Sequence, residues 1–315
     1  MTAFFFLKAE RASYLQPMIY HVPVPKNLLR NFLFIACLLL PWHHATAQKL
    51  RPIPINNPEW SKPYEPFRIA GNLYYVGTYD LGCYLITTPQ GHILINTGLG
   101  GSLPVIKKHV EKLGFKFKDI KILLTTQAHY DHVGAMADVK KLTGAKMMAD
   151  AADAPVLADG GNSDFVMGGK GSLFKPVTAD RLLHDKDVIS LGDMNITLLH
   201  HPGHTQGSCS YLFEVKDGKR SYKVLIANLP SILPDTKLSG MPGYANVGND
   251  YAYTFDAMKK LQFDLFLASH ASQFGLHDKR KPGDAYNPMA FADRTKYDSE
   301  LEELHKAYLE RLTEK

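Results

Sequence analysis

The stretch that decides the fold reads ILLTTQAHYDH and occupies residues 122–132. Its apolar start lies within a run over residues 120–125 and predicts a buried β-strand, because such strands are short, apolar and bounded by polar residues. The strand runs directly into a cluster of polar side chains: Gln127, His129, Asp131 and His132. In layered α/β proteins, residues that are distant in sequence converge where strands end. We therefore expect a functional site at this strand end.

Histidines follow two further predicted strands downstream. His204 follows one strand through the turn PGHT, and His270 follows another strand that ends in FLAS. Imidazole together with carboxylate suits zinc, which takes three protein ligands and keeps one open position in catalytic sites. The alternative is a set of scattered structural histidines, which would have to match three strand ends by chance. The candidate ligands from these three stretches are His129, Asp131, His132, His204 and His270.

The rest of the mature chain alternates strands and helices. Residues 48–66 are rich in Pro and Asn and predict an extended lead-in, and the Gly-rich residues 160–171 predict a loop. Two halves of similar size, 66–185 and 186–315, are joined without a linker, so 48–315 reads as one layered α/β domain. Periodicity and turn residues predict strands at 73–76, 83–87, 92–96, 120–125, 146–149, 188–191, 196–200, 210–214, 222–227 and 264–268. They predict helices at 103–113, 135–142, 151–158, 251–261 and 299–312.

The N-terminus has the three parts of a secretory signal. Lys26 and Arg30 precede an apolar run at residues 32–40, and the small residues Ala45-Thr46-Ala47 follow. The run is about half of the roughly 20 residues that a membrane-spanning helix needs. An uncleaved anchor is therefore the weaker alternative. We predict that residues 1–47 are a signal peptide that is cleaved on export.

Composition excludes several classes of protein. The 315 residues are 45% apolar and 21% charged, which is typical of a globular protein and not of a disordered one. A net charge of +5 is too weak to indicate nucleic acid binding. Three cysteines are too few for a scaffold built on disulfides. After export, Cys83 and Cys209 either pair in an oxidising compartment or remain buried thiols.

The motifs resemble those of the metallo-β-lactamase superfamily from about residue 60 to residue 279. The first motif of that superfamily usually reads His-x-His-x-Asp-His, and residues 127–132 read QAHYDH, with Gln in the first ligand position. The sequence is similar to the third subclass of class B β-lactamases, within its Gln-variant (GOB-type) branch. The segments that carry this closer resemblance are GNSDF at 161–165, PVTADR at 176–181 and HASQFGLH at 270–277.

The resemblance implies a fold and a reaction. The fold would be a four-layer αββα sandwich with the site at one edge between the two sheets. The reaction would be zinc-dependent hydrolysis of the β-lactam amide bond by a metal-bound hydroxide, without a covalent enzyme intermediate. Asp131 would orient the nucleophile. The resemblance further implies a periplasmic enzyme, in agreement with the predicted signal, and we expect a monomer that binds neither nucleic acid nor, after cleavage, a membrane.

The same resemblance implies two zinc positions. A Gln side chain offers only a neutral amide oxygen, which is a weaker zinc ligand than an imidazole nitrogen. We therefore expect one or two ions, with the second position the tighter, against the alternative that both positions fill alike. The first position would be formed by Gln127, His129 and His204, and the second by Asp131, His132 and His270.

Other functions remain open at this stage. Thioesterases and lactonases of the superfamily resemble one another in carrying a bridging Asp after the second His motif. The corresponding segment here, VLIANLPS at 224–231, has no carboxylate. A non-catalytic zinc protein is a further alternative, but structural zinc sites are closed by four ligands that are usually rich in Cys.

Several side chains could contact the substrate. Trp60, Phe165 and Met167 would form an apolar wall over the site, although aromatic and Met residues in loops often serve local packing. Asn228 and Ser231 would bind a water molecule or the substrate carboxylate, and for Asn228 the alternative is a turn-forming role.

Overall fold

Two β-sheets pack face to face at the centre of the protein. The computed structural model describes residues 49–55 and 57–313, so the predicted signal peptide, residues 1–47, lies outside the described residues. Within the described part, the first sheet has seven strands whose spatial order follows the chain. They are β1 (Phe67–Ala70), β2 (Leu73–Tyr75), β3 (Tyr84–Thr88), β4 (Gly91–Ile95), β5 (Ile120–Leu124), β6 (Lys146–Asp150) and β7 (Arg181–Leu183).

The second sheet comes from the second half of the chain. Among the described residues it has five strands in the order β12-β11-β10-β9-β8. They are β8 (Val188–Leu191), β9 (Met194–His200), β10 (Cys209–Asp217), β11 (Arg220–Ala227) and β12 (Leu265–Ala268). The strands β8 to β11 pair antiparallel, and β11 pairs parallel with β12. In the first sheet the pairing changes from antiparallel to parallel at β4.

Helices cover the outer face of each sheet. The α-helices of the described residues are α1 (Leu103–Lys112), α2 (Tyr130–Val133), α3 (Met136–Thr143), α4 (Ala154–Ala158), α5 (Val247–Met258), α6 (Leu276–Lys279) and α7 (Arg294–Thr313). Leu94 and Leu123 of the first sheet belong to one buried cluster with Val110 of α1 and Val139 of α3. On the opposite side, the Tyr297 ring of α7 meets a strand of the second sheet, with its centroid 5.1 Å from that of Phe266.

The core between the sheets is built from alternate side chains. Ile95 and Leu124 of the first sheet are buried in one cluster with Ile196, Leu198 and Tyr211 of the second. Because strand side chains alternate between faces, the neighbouring residues of β4 point to the helices instead, and all five residues of β4 are buried. The layers therefore run helix, sheet, sheet, helix, and the predicted αββα sandwich is confirmed.

Most element predictions agree with the structure, with local differences. The strands β1 and β7 are missing from the sequence prediction because they are short and follow Pro-rich or irregular segments. The predicted helix at 251–261 begins four residues earlier, at Val247. Cys83 and Cys209 are both buried free thiols, which settles the alternative that the sequence left open. No helix among residues 49–55 and 57–313 is long and apolar enough to cross a membrane.

A close backbone contact fixes the position of α2, which carries two of the predicted ligands. The Gly134 amide donates a hydrogen bond to the Gly98 carbonyl at 2.8 Å. A Cβ atom at Gly134 would lie 2.4 Å from the Gly100 nitrogen, so only glycine allows this approach.

We predict that Gly134→Ala lowers the free energy of unfolding by about 1–3 kcal/mol, because the new methyl group must displace backbone. The matched control is Gly101→Ala, where a Cβ meets nothing within 4 Å and φ is not positive. The control should change the unfolding free energy by less than about 0.5 kcal/mol. Chemical denaturation of both variants and the native chain measures the difference, and equal losses in the two variants would contradict the packing explanation.

Candidate metal centre

Three predicted ligands from two segments meet at one end of the sandwich. Asp131 and His132 lie in α2, directly after β5, and His270 lies two residues after β12. One ligand atom from each residue lies within 4.8 Å of the other two. The Asp131 Oδ2 atom is 3.2 Å from His132 Nε2 and 3.5 Å from His270 Nε2. The structure thus brings together the side chains that the sequence predicts for the second zinc position.

The charge states of this cluster suit a cation. Burial opposes ionisation of Asp131, but His132 and His270 outweigh it, and the pKa of this carboxyl lies well below its usual range. Burial lowers the pKa of His132, although Asp131 opposes this shift. Its Nε2 is buried and makes no hydrogen bond with any described residue. A buried ring nitrogen without a hydrogen bond, beside an ionised carboxylate, is costly in a protein interior, and a metal ion would satisfy both groups.

His270 is oriented by a carboxylate outside the cluster. Its Nδ1 donates a hydrogen bond to Asp80 Oδ2 at 3.0 Å, which leaves Nε2 facing Asp131. Burial opposes protonation, but Asp131 and Asp80 raise the pKa of His270 to about 9 in the metal-free chain. A metal ion at Nε2 would release that proton, as metal binding to histidine generally does.

Two more histidine rings face each other beside this cluster. His129 Nδ1 lies 3.1 Å from His204 Nε2. The outer nitrogen of each ring is held by an acceptor: His129 Nε2 donates to Asp164 Oδ2 at 3.1 Å, and His204 Nδ1 donates to the Ser231 carbonyl at 2.7 Å. Metal-binding histidines typically have this arrangement, in which an acceptor on one nitrogen directs the other toward the metal.

The gap between these rings requires a positive charge. Burial lowers the pKa of His204 to about 3, so its Nε2 is a lone pair. Burial also opposes protonation of His129, but Asp164 outweighs burial and the net pKa is raised, which favours a proton on Nδ1, in the gap, when no metal is bound. A zinc ion would take the place of that proton, and the residues therefore fit a metal at this position as well.

The turn that carries His204 depends on a glycine. Gly203 has φ +134°, and a Cβ at this residue would lie 2.8 Å from the Tyr251 ring. Glycine at this residue allows both the positive φ and the close approach of the backbone to the Tyr251 ring. The turn after β9 then carries the His204 ring to His129. The PGHT sequence was therefore a useful signal for this ligand.

The remaining predicted ligand, Gln127, is buried at the same cleft. Its Oε1 accepts a hydrogen bond from Asn228 Nδ2 at 3.0 Å. The other hydrogen of that Nδ2 goes to the Thr126 carbonyl at 3.3 Å. Asn228 lines the cleft with both of its side-chain hydrogens bonded within the protein, and its contact with water or substrate stays a prediction.

A cleft of about 170 Å³ opens onto the site. Trp60, Met167 and Ser231 line it, as the sequence predicts for substrate contacts. Phe165 does not line it, because its ring packs edge-on against Tyr244 with centroids 4.9 Å apart. The lining residues that the sequence analysis missed are Ile55, Tyr130, Leu229, Leu233 and Gln273.

Sequence analysis also missed the carboxylates behind the ligands. Asp164 falls within GNSDF, which carried the family resemblance without a role, whereas nothing in the sequence around Asp80 marked it. Asp153 joins the two ligand loops of the first position: it accepts hydrogen bonds from the Ala128 amide at 2.8 Å, the Thr205 hydroxyl at 2.8 Å and the Gly207 amide at 2.7 Å. Burial raises the pKa of Asp153 to about 6 despite these three donors.

Comparison with known proteins identifies close relatives of this chain. The family model described as Metallo-beta-lactamase superfamily matches residues 83–217. A solved structure titled beta-lactamase, from Chitinophaga pinensis, is 65% identical, covers 84% of this chain and 100% of its own, and has a TM-score of 0.83. The class B3 di-zinc metallo-beta-lactamase LRA-12, from an Alaskan soil metagenome, is 60% identical with the same coverage and a TM-score of 0.82.

A third solved structure belongs to the branch that the Gln residue indicated. The metallo-beta-lactamase GOB-18 from Elizabethkingia meningoseptica is 58% identical, covers 85% of this chain and 99% of its own, and has a TM-score of 0.83. Curated relatives are more distant. The acyl-coenzyme A thioesterase MBLAC2 of Gallus gallus is 27% identical over 227 residues, which are 64% of this chain and 76% of the relative.

The raised pKa of Asp153 predicts a pH dependence of stability. Between the unfolded pKa of about 3.9 and the folded pKa of about 6, the folded chain keeps a proton that the unfolded chain has lost. The contribution of Asp153 to the free energy of unfolding therefore falls as pH rises from 4 to 6. Across this pH window, the free energy of unfolding of the metal-free native chain should fall by roughly 2–3 kcal/mol relative to that of Asp153→Asn.

Denaturation of both chains at several pH values measures this difference, and the exposed Asp193→Asn variant supplies the baseline. If the unfolding free energy of the native chain relative to Asp153→Asn stays constant or rises with pH, the raised pKa of Asp153 is contradicted.

Proposed function

The chain belongs to the metallo-beta-lactamase superfamily, and we propose that it is a zinc-dependent β-lactamase of subclass B3. The observation that carries the proposal is the convergence of two facing ring nitrogens, on His129 and His204, with the cluster around Asp131 at one open cleft. High identity to solved class B3 enzymes over nearly their whole length supports the same reaction, hydrolysis of the β-lactam amide bond.

We infer two zinc positions from the donor sets. The first position would use the Gln127 amide oxygen with His129 and His204. The second position would use Asp131, His132 and His270, which supply a charged carboxylate and two imidazoles, so we expect it to bind zinc more tightly. Zinc, when bound, supplies Lewis acidity toward water and toward the negative charge that develops on the substrate.

The protein's own residues orient the reactants. Asp131 is ionised and buried at the base of the cleft, so it can accept a hydrogen bond from the attacking water and direct its lone pair toward the lactam carbonyl. The Ser231 hydroxyl lies at the cleft and can donate to the substrate carboxylate. Trp60 packs near His270, with ring centroids 5.7 Å apart, and would form part of an apolar wall with Met167.

The other functions considered fit the site less well. Thioesterases and lactonases of the superfamily resemble one another in having a bridging Asp after β11, and the residue here is the neutral Asn228, already bonded to Gln127. A purely structural zinc site is closed by four ligands, whereas these donors open onto a cleft. Both features favour the β-lactamase.

We further propose where the enzyme acts, in what form and on what class of substrate. The predicted signal, residues 1–47, would export residues 48–315 to the periplasm as one monomeric domain. The small-molecule substrate would be a β-lactam, with no nucleic acid partner and no membrane contact after cleavage.

The mature protein should hydrolyse nitrocefin, lose this activity when zinc is removed by a chelator, and recover it when zinc returns. We expect Asp131→Asn to lower kcat by about 10²–10⁴-fold, because it removes both the orienting charge and a ligand of the second zinc position. The exposed Asp193→Asn variant should leave kcat unchanged. A thioester and a lactone, assayed in parallel, should be hydrolysed far more slowly than nitrocefin. Activity that survives complete removal of zinc, or a preference for the thioester, would contradict the proposal.

A further inference from the structure

The orientation of the Gln127 carboxamide is set by a chain of hydrogen bonds. The Thr126 carbonyl oxygen can only accept, so the Asn228 atom that lies 3.3 Å from it must be the amide nitrogen. The same Asn228 nitrogen lies 3.0 Å from the end of the Gln127 side chain. That end must therefore be the acceptor, Oε1. Thr126 thus determines the orientation of Asn228, and Asn228 that of Gln127.

Asn228 is itself held firmly. Its backbone amide donates to Ser210 Oγ at 3.1 Å, and its Oδ1 lies 3.3 Å from Ser269 Oγ, whose single hydrogen also has Thr126 Oγ1 as an acceptor at 2.9 Å. These bonds tie the end of β11 to β10 and to the residue after β12. Asn228, Gln127 and both serines are buried, so these bonds are largely shielded from water.

This orientation matters because the two ends of a glutamine amide are chemically different. Oε1 carries two lone pairs, while the NH2 group of the amide has only donors and does not bind zinc. With one lone pair of Oε1 engaged by Asn228, the other remains for a metal. On the basis of the first zinc position proposed above, we propose that Asn228 is a positioning residue that presents Gln127 Oε1 as a zinc ligand.

The structure also accounts for why Asn, and not another turn residue, stands at this position. Asn is favoured in turns where φ is positive or where its side chain bonds to its own backbone two residues on. Among the described non-glycine residues only Asn96 and Lys186 have positive φ, and the Asn228 side chain bonds instead to Gln127 and to the Thr126 carbonyl. The backbone at Asn228 therefore does not require Asn. Its side-chain NH2 group, which donates to Gln127 Oε1 and to the Thr126 carbonyl, is what these hydrogen bonds require.

Two substitutions distinguish a role of Asn228 in orienting the Gln127 amide from a role in general structural support. Asn228→Leu removes the amide at similar size and frees the Gln127 side chain to turn. Gln127→Glu makes both ends of the ligand oxygen, so its orientation no longer decides whether it binds. In the native background Asn228→Leu should weaken the first-position zinc by about 10–100-fold, and in the Gln127→Glu background by less than about threefold.

The probe is zinc alone, titrated into metal-free protein against a chromophoric chelator up to millimolar concentration. Two dissociation constants are fitted for the native chain, both single variants and the double variant. The tighter constant, from the second position, should agree across all four proteins. The unfolding free energy should fall by a similar amount on Asn228→Leu in both backgrounds, which reports any support that is independent of metal.

Equal weakening of zinc in both backgrounds would overturn the proposal, because Asn228 would then act without regard to amide orientation. No weakening in the native background would overturn it as well. The proposal would also be overturned if the native chain bound no second zinc ion, whether or not the Gln127→Glu variant bound one. Gln127 would then not be presented as a ligand. None of these titrations contains a β-lactam, so failure of the proposed hydrolysis is distinguished from failure of the positioning role.

Discussion

The site depends on buried imidazole nitrogens that face one another and need a positive charge, from a proton or a metal ion, between them. Three histidines at the site have one ring nitrogen fixed by an acceptor: Asp164 for His129, the Ser231 carbonyl for His204, and Asp80 for His270. Each acceptor forces the other nitrogen toward the centre. The resulting cluster is unfavourable when empty of positive charge, because interior groups gain little from solvent. The same cluster is favourable around zinc, so the fold holds the ligands ready for the metal.

The two sheets fix the positions of these nitrogens relative to one another. The loop after β5 supplies the first ligands and is hydrogen-bonded directly to the second sheet. The Cys209 amide donates to the Thr126 carbonyl at 2.9 Å, and the Tyr211 hydroxyl donates to the Thr125 carbonyl at 2.7 Å. Asp153 then links this loop to the turn that carries His204. Ligands from distant parts of the chain are therefore positioned by strand ends and not by flexible segments. Such preorganisation keeps the site geometry fixed as the substrate binds.

Local patterns in the sequence were sufficient to predict most strands and the convergence of Asp131, His132 and His270, whereas the order of the four layers and the division of the ligands into two positions rested on the family resemblance. Apolar runs predict strands, and polar clusters directly after them predict where a site lies, as for the segment that ends in His132. The acceptors behind the ligands could not be predicted, since Asp80 and Asp153 act on residues far away in the chain. Phe165 illustrates the same limit: an aromatic side chain in a loop has no local signal that decides between the cleft and Tyr244. The role proposed for Asn228 likewise depends on partners from three separate segments, which are β10, the loop after β5 and the residue after β12.

The most direct test of the account is a crystal structure of the zinc-loaded protein with anomalous diffraction measured at the zinc edge. The account predicts anomalous peaks within the roughly 2.0–2.2 Å bonding distance of His129 Nδ1 and His204 Nε2, and of Asp131, His132 and His270. At limited zinc, the peak beside Asp131 should be the stronger. Zinc bound elsewhere, or His204 and His270 turned away from the metal, would contradict it.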